Sequence, residues 1–233
     1  MDKLIDGMMW YVVFLFSTTV HEAAHAFTAM KLGDNTAYHG GQVTLDPLPH
    51  IRREPIGTVL MPILSFFASG WMIGWASTPY DPYWAERYPR RSAWMSLAGP
   101  ASNLLLVLLS ALLIRIGIAA HLFIEPDSIN FMHVTAAADE TGMLAAVAVI
   151  LSIMFTLNLL LFAFNLLPFP PLDGSGALPL LLPEQQAASY SNFISHSGFA
   201  FLGLFVAWNI FGKLFDPIHL WAINLLYPGA GYH

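Results

Sequence analysis

Residues 18–30, TTVHEAAHAFTAM, place two histidines and a glutamate inside a segment that is apolar enough to cross a membrane. Residues 8–20, MMWYVVFLFSTTV, carry no charge, so the apolar run leads directly to His21, Glu22 and His25. Ionisable side chains at membrane depth are energetically costly and mark functional sites. These three residues are therefore the first candidates for a functional site.

The composition predicts an integral membrane protein. The 233 residues are 56% hydrophobic and only 10% charged, whereas about a quarter of a soluble domain is charged. With 9 Lys+Arg against 15 Asp+Glu, the net charge of -6 provides no basic face for nucleic acid. The absence of cysteine excludes disulfides, thiolate ligands and thiol nucleophiles, so any metal must be held by His, Asp or Glu.

Apolar stretches long enough to cross a bilayer predict an all-α, polytopic membrane protein with a single domain over residues 1–233. A core of about 30 Å needs roughly 20 apolar residues in a helix. Five stretches approach that length: about 8–30, 56–76, 93–119, 142–167 and 198–226. Gly57 and Pro62 interrupt the second, which leaves a broken or shallow segment as an alternative. Pro217 makes the last compatible with one kinked span or two half-spans.

A short hairpin is predicted between the first two spans. Gly40 and Gly41 favour a turn, and the following Val43, Thr44 and Leu45 favour extended backbone. The chain then reaches two prolines, which end the extended segment. We expect the hairpin to cover roughly residues 38–48.

The spacing of the two histidines predicts a metal site. Four residues apart on a helix, His21 and His25 lie on one face about one turn apart and can share a divalent ion. Glu22 follows the first ligand, the arrangement in which zinc acidifies a water and the glutamate takes its proton. A structural role, with the histidines bonding to neighbouring helices, is the alternative, and the cost of three ionisable groups in five residues disfavours it.

A third protein ligand is expected, because catalytic zinc usually takes three and leaves one position open. Asp173, in NLLPFPPLDGSG (165–176), directly follows the apolar run 142–167. Prolines break the helix before it, while Gly174 and Gly176 allow a tight turn toward the metal. From these residues alone, a loop aspartate that caps a turn at the membrane surface is an equally good interpretation.

Three motifs together carry a family resemblance. HEAAH (21–25), LAGPASN (97–103) and NLLPFPPLDG (165–174) resemble the site-2 protease family of intramembrane zinc metalloproteases. The resemblance extends over nearly the whole chain and is to the compact prokaryotic type without PDZ or CBS domains. It implies one zinc per chain, held by His21, His25 and Asp173, with Glu22 as the general base.

The resemblance also implies residues that contact substrate. In the family, the hairpin after the first span is membrane-associated and helps to hold an extended substrate segment. In this chain that function falls on Gln42, Val43, Thr44 and Leu45. Asn103 and Asn165, polar groups in apolar spans, are expected to bond the substrate backbone or orient the oxyanion, or alternatively to tie helices together.

The expected function is cleavage of peptide bonds within or next to transmembrane segments of membrane-protein substrates, as in regulated intramembrane proteolysis. The expected location is a prokaryotic cell (inner) membrane, crossed several times. The expected partners are lipid, a transmembrane protein substrate and an adaptor for substrate selection. Two alternatives stay open: a non-hydrolytic membrane metal-binding protein, such as a divalent-ion carrier or sensor, and a membrane scaffold with structural histidines.

Overall fold

Helices make up most of the fold in the computed structural model, which describes residues 3–139, 142–196, 198 and 200–232. In chain order the helices are α1 (Lys3–Leu32), α2 (Thr36–His39), α3 (Pro47–Arg53), α4 (Met61–Ser69), α5 (Pro82–Arg87), α6 (Pro89–Ala119), α7 (Met143–Asn165), α8 (Asp173–Ala177), α9 (Glu184–His196) and α10 (Ala200–Leu226). A π-helical turn, Ile56–Leu60, leads into α4, and a 3-10 turn, Leu178–Leu181, follows α8. Two short antiparallel strands, β1 (Phe123–Ile124) and β2 (Ala136–Ala137), pair within the loop between α6 and α7.

Four helices within the described residues are long and apolar enough to cross a membrane: α1, α6, α7 and α10. α1 and α6 contain the predicted spans 8–30 and 93–119. α7 and α10 cover all but one or two residues at the ends of the predicted spans 142–167 and 198–226, and residue 199 lies outside the described residues. The last span is one continuous helix with Pro217 inside it. The apolar length and composition confirm the predicted class, a polytopic helical membrane protein.

The predicted second span, residues 56–76, is not one membrane-crossing helix, and the structure favours the alternative of a broken or shallow segment. The π-helical turn and α4 contain five and nine residues, or about 21 Å of helix, too short for a core of about 30 Å. Gly70 ends α4 in the left-handed conformation (φ +78°), and its N–H donates to the Phe66 carbonyl at 2.8 Å. The chain then runs back without helix, and the Trp75 N–H donates to the Gly57 carbonyl at 3.1 Å. Hydropathy extended this span because the returning segment is also apolar.

The predicted hairpin at 38–48 does not form strands in the structure. The turn at Gly40–Gly41 is present, with Gly41 at φ +72°, but it connects the short helices α2 and α3. Asp46 accepts a hydrogen bond from the Leu48 N–H at 2.9 Å and caps α3, whose first residue is Pro47. An N-cap followed by proline starts a helix, and that local preference ends the extended segment after only a few residues.

Two apolar clusters join the helices. The first connects α1, α4 and α7 through Trp10, Phe14, Phe66, Ile153 and Leu157. The second connects α6, α7 and α10 through Val107, Ile114, Phe155, Phe215 and Ile223. Of the four candidate spans, α10 is the least buried, and its outward side presents Phe201, Phe205, Trp208 and Trp221. Such an apolar surface suits a bilayer interior.

The helix directions bring the motif residues to one end of the bundle. His21 and His25 lie in the second half of α1, and Asp173 follows the end of α7. The LAGPASN motif lies in the first half of α6, which runs in the opposite direction. The three motifs therefore meet although His21 and Asp173 are 152 positions apart in the sequence.

Candidate metal centre

The two histidines of α1 face each other as the helical spacing predicts. His21 is 7% exposed and His25 is 5% exposed. Their Nε2 atoms lie 3.0 Å apart, with the ring planes inclined at 78°. Both imidazoles therefore direct their Nε2 atoms toward the same point.

Asp173 completes the group. Its Oδ2 atom lies 3.1 Å from Nε2 of His21 and 3.4 Å from Nε2 of His25. One ligand atom from each of the three side chains falls within 4.8 Å of the others, and no other such group of three could share an ion in the part of the chain that the structure describes. The structure thus brings together the three residues that the sequence analysis named.

The residue after Asp173 must be glycine, because the backbone at the end of α7 lies very close to it. A Cβ atom at position 174 would collide with the carbonyl oxygen of Leu166. The chain therefore folds back tightly onto the end of α7, and this turn carries the aspartate to the histidines. The tight turn that Gly174 was predicted to allow is present here.

The other ring nitrogens show that the site fits a divalent cation. Nδ1 of His21 lies 2.5 Å from Oδ1 of Asn103, and Nδ1 of His25 lies 2.7 Å from the carbonyl oxygen of Met95. Both partners are oxygen acceptors, so each Nδ1 donates its N–H and each Nε2 lone pair is free for a metal. Metal-ligating histidines are typically oriented in this way.

One side of the centre is formed by the backbone of α6. A Cβ atom at Gly99 would collide with Nε2 of His25 and would lie 2.5 Å from Nε2 of His21. Only a residue without a side chain allows α6 to approach the ligand atoms so closely. The donor set and the shape of this wall therefore both fit one ion held by His21, His25 and Asp173.

A methyl group at Gly99 is expected to weaken metal binding. Overpacking of this kind costs about 1–3 kcal/mol, and each 1.4 kcal/mol corresponds to about a tenfold change in affinity. We expect Gly99→Ala to bind zinc about ten times more weakly or worse in competition with a chelator. Gly117→Ala is the matched control, because its Cβ would collide with the Phe123 ring at the other end of the same helix. Equal zinc affinities in the two variants would contradict this role of Gly99.

Glu22 lies beside the triad rather than within it. Its side chain is buried, and its Oε2 atom accepts a hydrogen bond from Oγ1 of Thr78 at 2.7 Å. The same hydroxyl lies 2.9 Å from the main-chain oxygen of Glu22. Thr78 thus fixes the carboxylate of the predicted base.

The segment that carries Thr78, residues 71–81, is fixed to the end of α1. Asp34 accepts hydrogen bonds from the Thr36 N–H at 2.9 Å, the Thr36 hydroxyl at 2.6 Å and the Asp81 N–H at 2.9 Å. Burial disfavours the charged carboxylate of Asp34, but these bonds outweigh burial and hold its pKa below the usual value. The charged form therefore persists at neutral pH and keeps the segment against Glu22.

The two predicted asparagines lie in different surroundings. Asn103 is fully buried and bonds both His21 and Asn158, which favours a role in tying helices together. Asn165 is the partly buried last residue of α7. Asn158, two turns earlier on that helix, was missed, although it met the same criterion of a polar group in an apolar span.

The predicted substrate residues follow the Gly40–Gly41 turn. Gln42 is 2% exposed, and neither atom of its side-chain amide has a hydrogen-bond partner among the described residues. Val43 and Thr44 are partly buried, and Leu45 is exposed. Gln42 is thus a buried polar group whose bonding capacity is unused.

Apolar, membrane-length helices lie around two buried histidines and a partly buried aspartate, with a buried glutamate beside them. This arrangement is typical of a membrane metallopeptidase. The chain belongs to peptidase family M50, the site-2 protease family, whose sequence model matches residues 9–205. This membership confirms the resemblance seen in the three motifs.

Relatives in the same family come from bacteria. The chain is 33% identical over 203 residues to YwhC of Bacillus subtilis, a protein provisionally named a zinc metalloprotease, and the match covers 86% of this chain and 82% of YwhC. It is 34% identical over 175 residues to Rip2 of Mycolicibacterium smegmatis, which bears the same provisional description, with 75% of this chain and 58% of Rip2 covered. Rip2 of Mycobacterium tuberculosis matches to the same extent. No solved structure matches the chain.

Proposed function

We propose that this protein is a zinc-dependent intramembrane endopeptidase that cleaves peptide bonds within or next to transmembrane segments of membrane-protein substrates. The observation that carries the proposal is the depth of the triad. His21 lies about 27 Å from the start of α1 and about 17 Å from its end, at 1.5 Å per residue. A metal centre at that depth on a membrane-crossing helix lies at the level of substrate peptide bonds that are themselves within the bilayer.

The residues around the ion divide the chemistry between them. His21, His25 and Asp173 would hold one zinc, which when bound would act as a Lewis acid toward the scissile carbonyl and the attacking water. Glu22 accepts a proton from that water at a carboxylate oxygen and returns it to the leaving amine. Thr78 keeps the carboxylate in place through the bond to Oε2. The provisional zinc metalloprotease names of the relatives support this choice of metal.

A substrate helix must unwind locally before cleavage, because its carbonyls are otherwise hydrogen-bonded within the helix. The unwound stretch then needs new partners for its backbone. Gln42 offers one donor group and one acceptor group, both unpaired and buried. We infer that Gln42, together with the adjoining Val43, Thr44 and Leu45, holds the substrate backbone. Asn165 is a further candidate contact, since it ends the helix that leads to Asp173.

The proposed setting is a prokaryotic cell membrane. Bacterial relatives and the apolar outer side of α10 support that location and contact with lipid. The compact prokaryotic type of site-2 protease, which the motifs of this chain resemble, carries no PDZ or CBS domain for choosing substrates. Substrate choice therefore falls to an adaptor or to the instability of the substrate helix.

Proteoliposomes test the proposal. We expect purified protein to cleave a membrane-spanning peptide at a bond within or next to the span, to stop when zinc is removed by a chelator, and to resume when zinc is restored. A soluble, unfolded peptide with the same residues around the bond, but flanked by charged residues instead of a span, is the matched control and should be cleaved more slowly. Zinc flux into the vesicles without cleavage of any peptide would instead support a divalent-ion carrier.

A further inference from the structure

Two buried asparagines connect a metal ligand to the helix that carries it. Nδ1 of His21 bonds Oδ1 of Asn103 at 2.5 Å, and Nδ2 of Asn103 donates to Oδ1 of Asn158 at 2.8 Å. Nδ2 of Asn158 then donates to Oγ of Ser17 at 2.9 Å. Ser17 lies one turn before His21 on α1, so these three hydrogen bonds, together with that turn of α1, form a closed ring that joins α1, α6 and α7. Ser17 and both asparagines are fully buried.

The orientation of each amide in this ring follows from one main-chain atom. Nδ2 of Asn158 also lies 2.8 Å from the carbonyl oxygen of Met154, which can only accept a hydrogen bond. The NH2 end of Asn158 must therefore point to Met154, which turns its oxygen toward Asn103. Asn103 in turn must present its NH2 end to Asn158 and its oxygen to His21. His21 consequently carries its hydrogen on Nδ1 and leaves the Nε2 lone pair for the ion.

We propose that Asn158 is a positioning residue for the metal centre, acting through Asn103 to hold His21 in the tautomer and orientation that bind the ion. The inference rests on the zinc centre of the proposed function but not on peptide cleavage. Without the acceptor at Asn158, the amide of Asn103 is free to turn its NH2 end toward His21. Two N–H groups would then face each other unless His21 shifted its hydrogen to Nε2, where it would block the metal.

His25 provides an internal contrast. Its Nδ1 donates directly to the main-chain carbonyl of Met95 at 2.7 Å. A peptide carbonyl has no donor end and cannot turn over, so His25 needs no further support. The effect of Asn158 therefore passes through His21 alone.

Zinc affinity, measured by chelator competition on the full chain in detergent, tests the proposal. We expect Asn158→Leu to bind zinc about 10–100 times more weakly than wild type, the usual effect of losing a residue that supports a metal ligand. Asn158→Asp should stay close to wild type, because burial favours the neutral carboxyl group. That group offers one accepting oxygen to Asn103 and one O–H to Met154. A role in packing alone would not favour Asp over Leu at this position.

Thr156→Val is the matched control for loss of a buried polar group from α7. Thr156 is fully buried, and its hydroxyl lies 3.5 Å from Nε2 of His219, outside the ring. In an Asn103→Ala background, Asn158→Leu should cause no further loss of zinc affinity, because its route to His21 is gone. Asn158→Ala replaces the leucine variant if gel filtration shows that the latter does not fold.

Three results would overturn the inference: wild-type zinc affinity in Asn158→Leu or its alanine replacement, an equal loss in Thr156→Val, or multiplying losses in the double variant. The proposed function fails separately. A wild-type protein that binds zinc and cleaves no peptide would contradict the protease assignment and leave the role of Asn158 intact. Peptide cleavage by the wild type, together with unchanged zinc affinity in Asn158→Leu, would support the protease assignment and contradict the role of Asn158.

Discussion

Replacing Glu22 by glutamine is expected to leave one zinc per chain and to lower peptide cleavage by about 10^2 to 10^4-fold, the usual contribution of a general base. Glutamine has the shape of glutamate but cannot accept the proton of the attacking water. Glu22 is not one of the three residues that converge on the ion, so metal content should not change. The amide oxygen of glutamine can still accept the bond from Thr78, which preserves the local structure.

Glu54→Gln is the matched control for Glu22→Gln. Glu54 lies near the same returning segment, and its Oε1 accepts a hydrogen bond from Ser77 at 2.7 Å. Zinc content and cleavage of the membrane-spanning peptide should be measured on the same preparation of each protein. Full cleavage by Glu22→Gln would remove Glu22 from the chemistry. Zinc in all three proteins with cleavage in none, across several peptides, would favour a carrier or sensor.

Replacing Asp173 by asparagine is expected to weaken zinc binding more than the loss of a residue that supports a metal ligand does. That loss typically lowers the affinity about 10–100-fold. Asparagine preserves the size of the side chain but removes the charge that balances the cation. Oδ2 of Asp173 lies within 3.4 Å of both histidine Nε2 atoms. Among the described residues, no other acid joins the two histidines in a group that could hold an ion. Cleavage should fall in parallel with zinc content and recover partly at high zinc concentration.

Asp127→Asn serves as the control for Asp173→Asn, since Asp127 is exposed in the loop between α6 and α7. Zinc content after dialysis against a weak chelator separates the two variants. If Asp173→Asn kept zinc as well as wild type, the aspartate would be a turn-capping residue, which is the alternative that the sequence left open. The third ligand would then have to be sought elsewhere.

Local spacing was sufficient to predict the histidine pair, whereas Asp173 depended on the family resemblance. A helix fixes the relation of His21 to His25 within one turn. The direction of the chain after α7 depends on a tight turn against Leu166, which no periodicity reveals. The position of Asp173 at the metal is therefore a property of tertiary structure.

Hydropathy located the long helices but not the place where the chain reverses. It identified α1, α6, α7 and α10, because each is apolar over a full bilayer thickness. At 56–76 a short helix and its returning segment have the same composition, so only the conformation of Gly70 separates them. The hairpin prediction failed for a related reason, since the capping residue Asp46 outweighed the weak extended preference of three residues before it.

The close approach of Gly99 to the two histidines limits how an inhibitor can reach the ion. The backbone of α6 fills one flank of the centre, so a zinc-chelating group must approach from the opposite flank. A slender, flat chelator such as a hydroxamate can bind from one side, whereas a bulky or encircling one cannot. Ligands designed for this centre should therefore carry their bulk on the side away from Gly99.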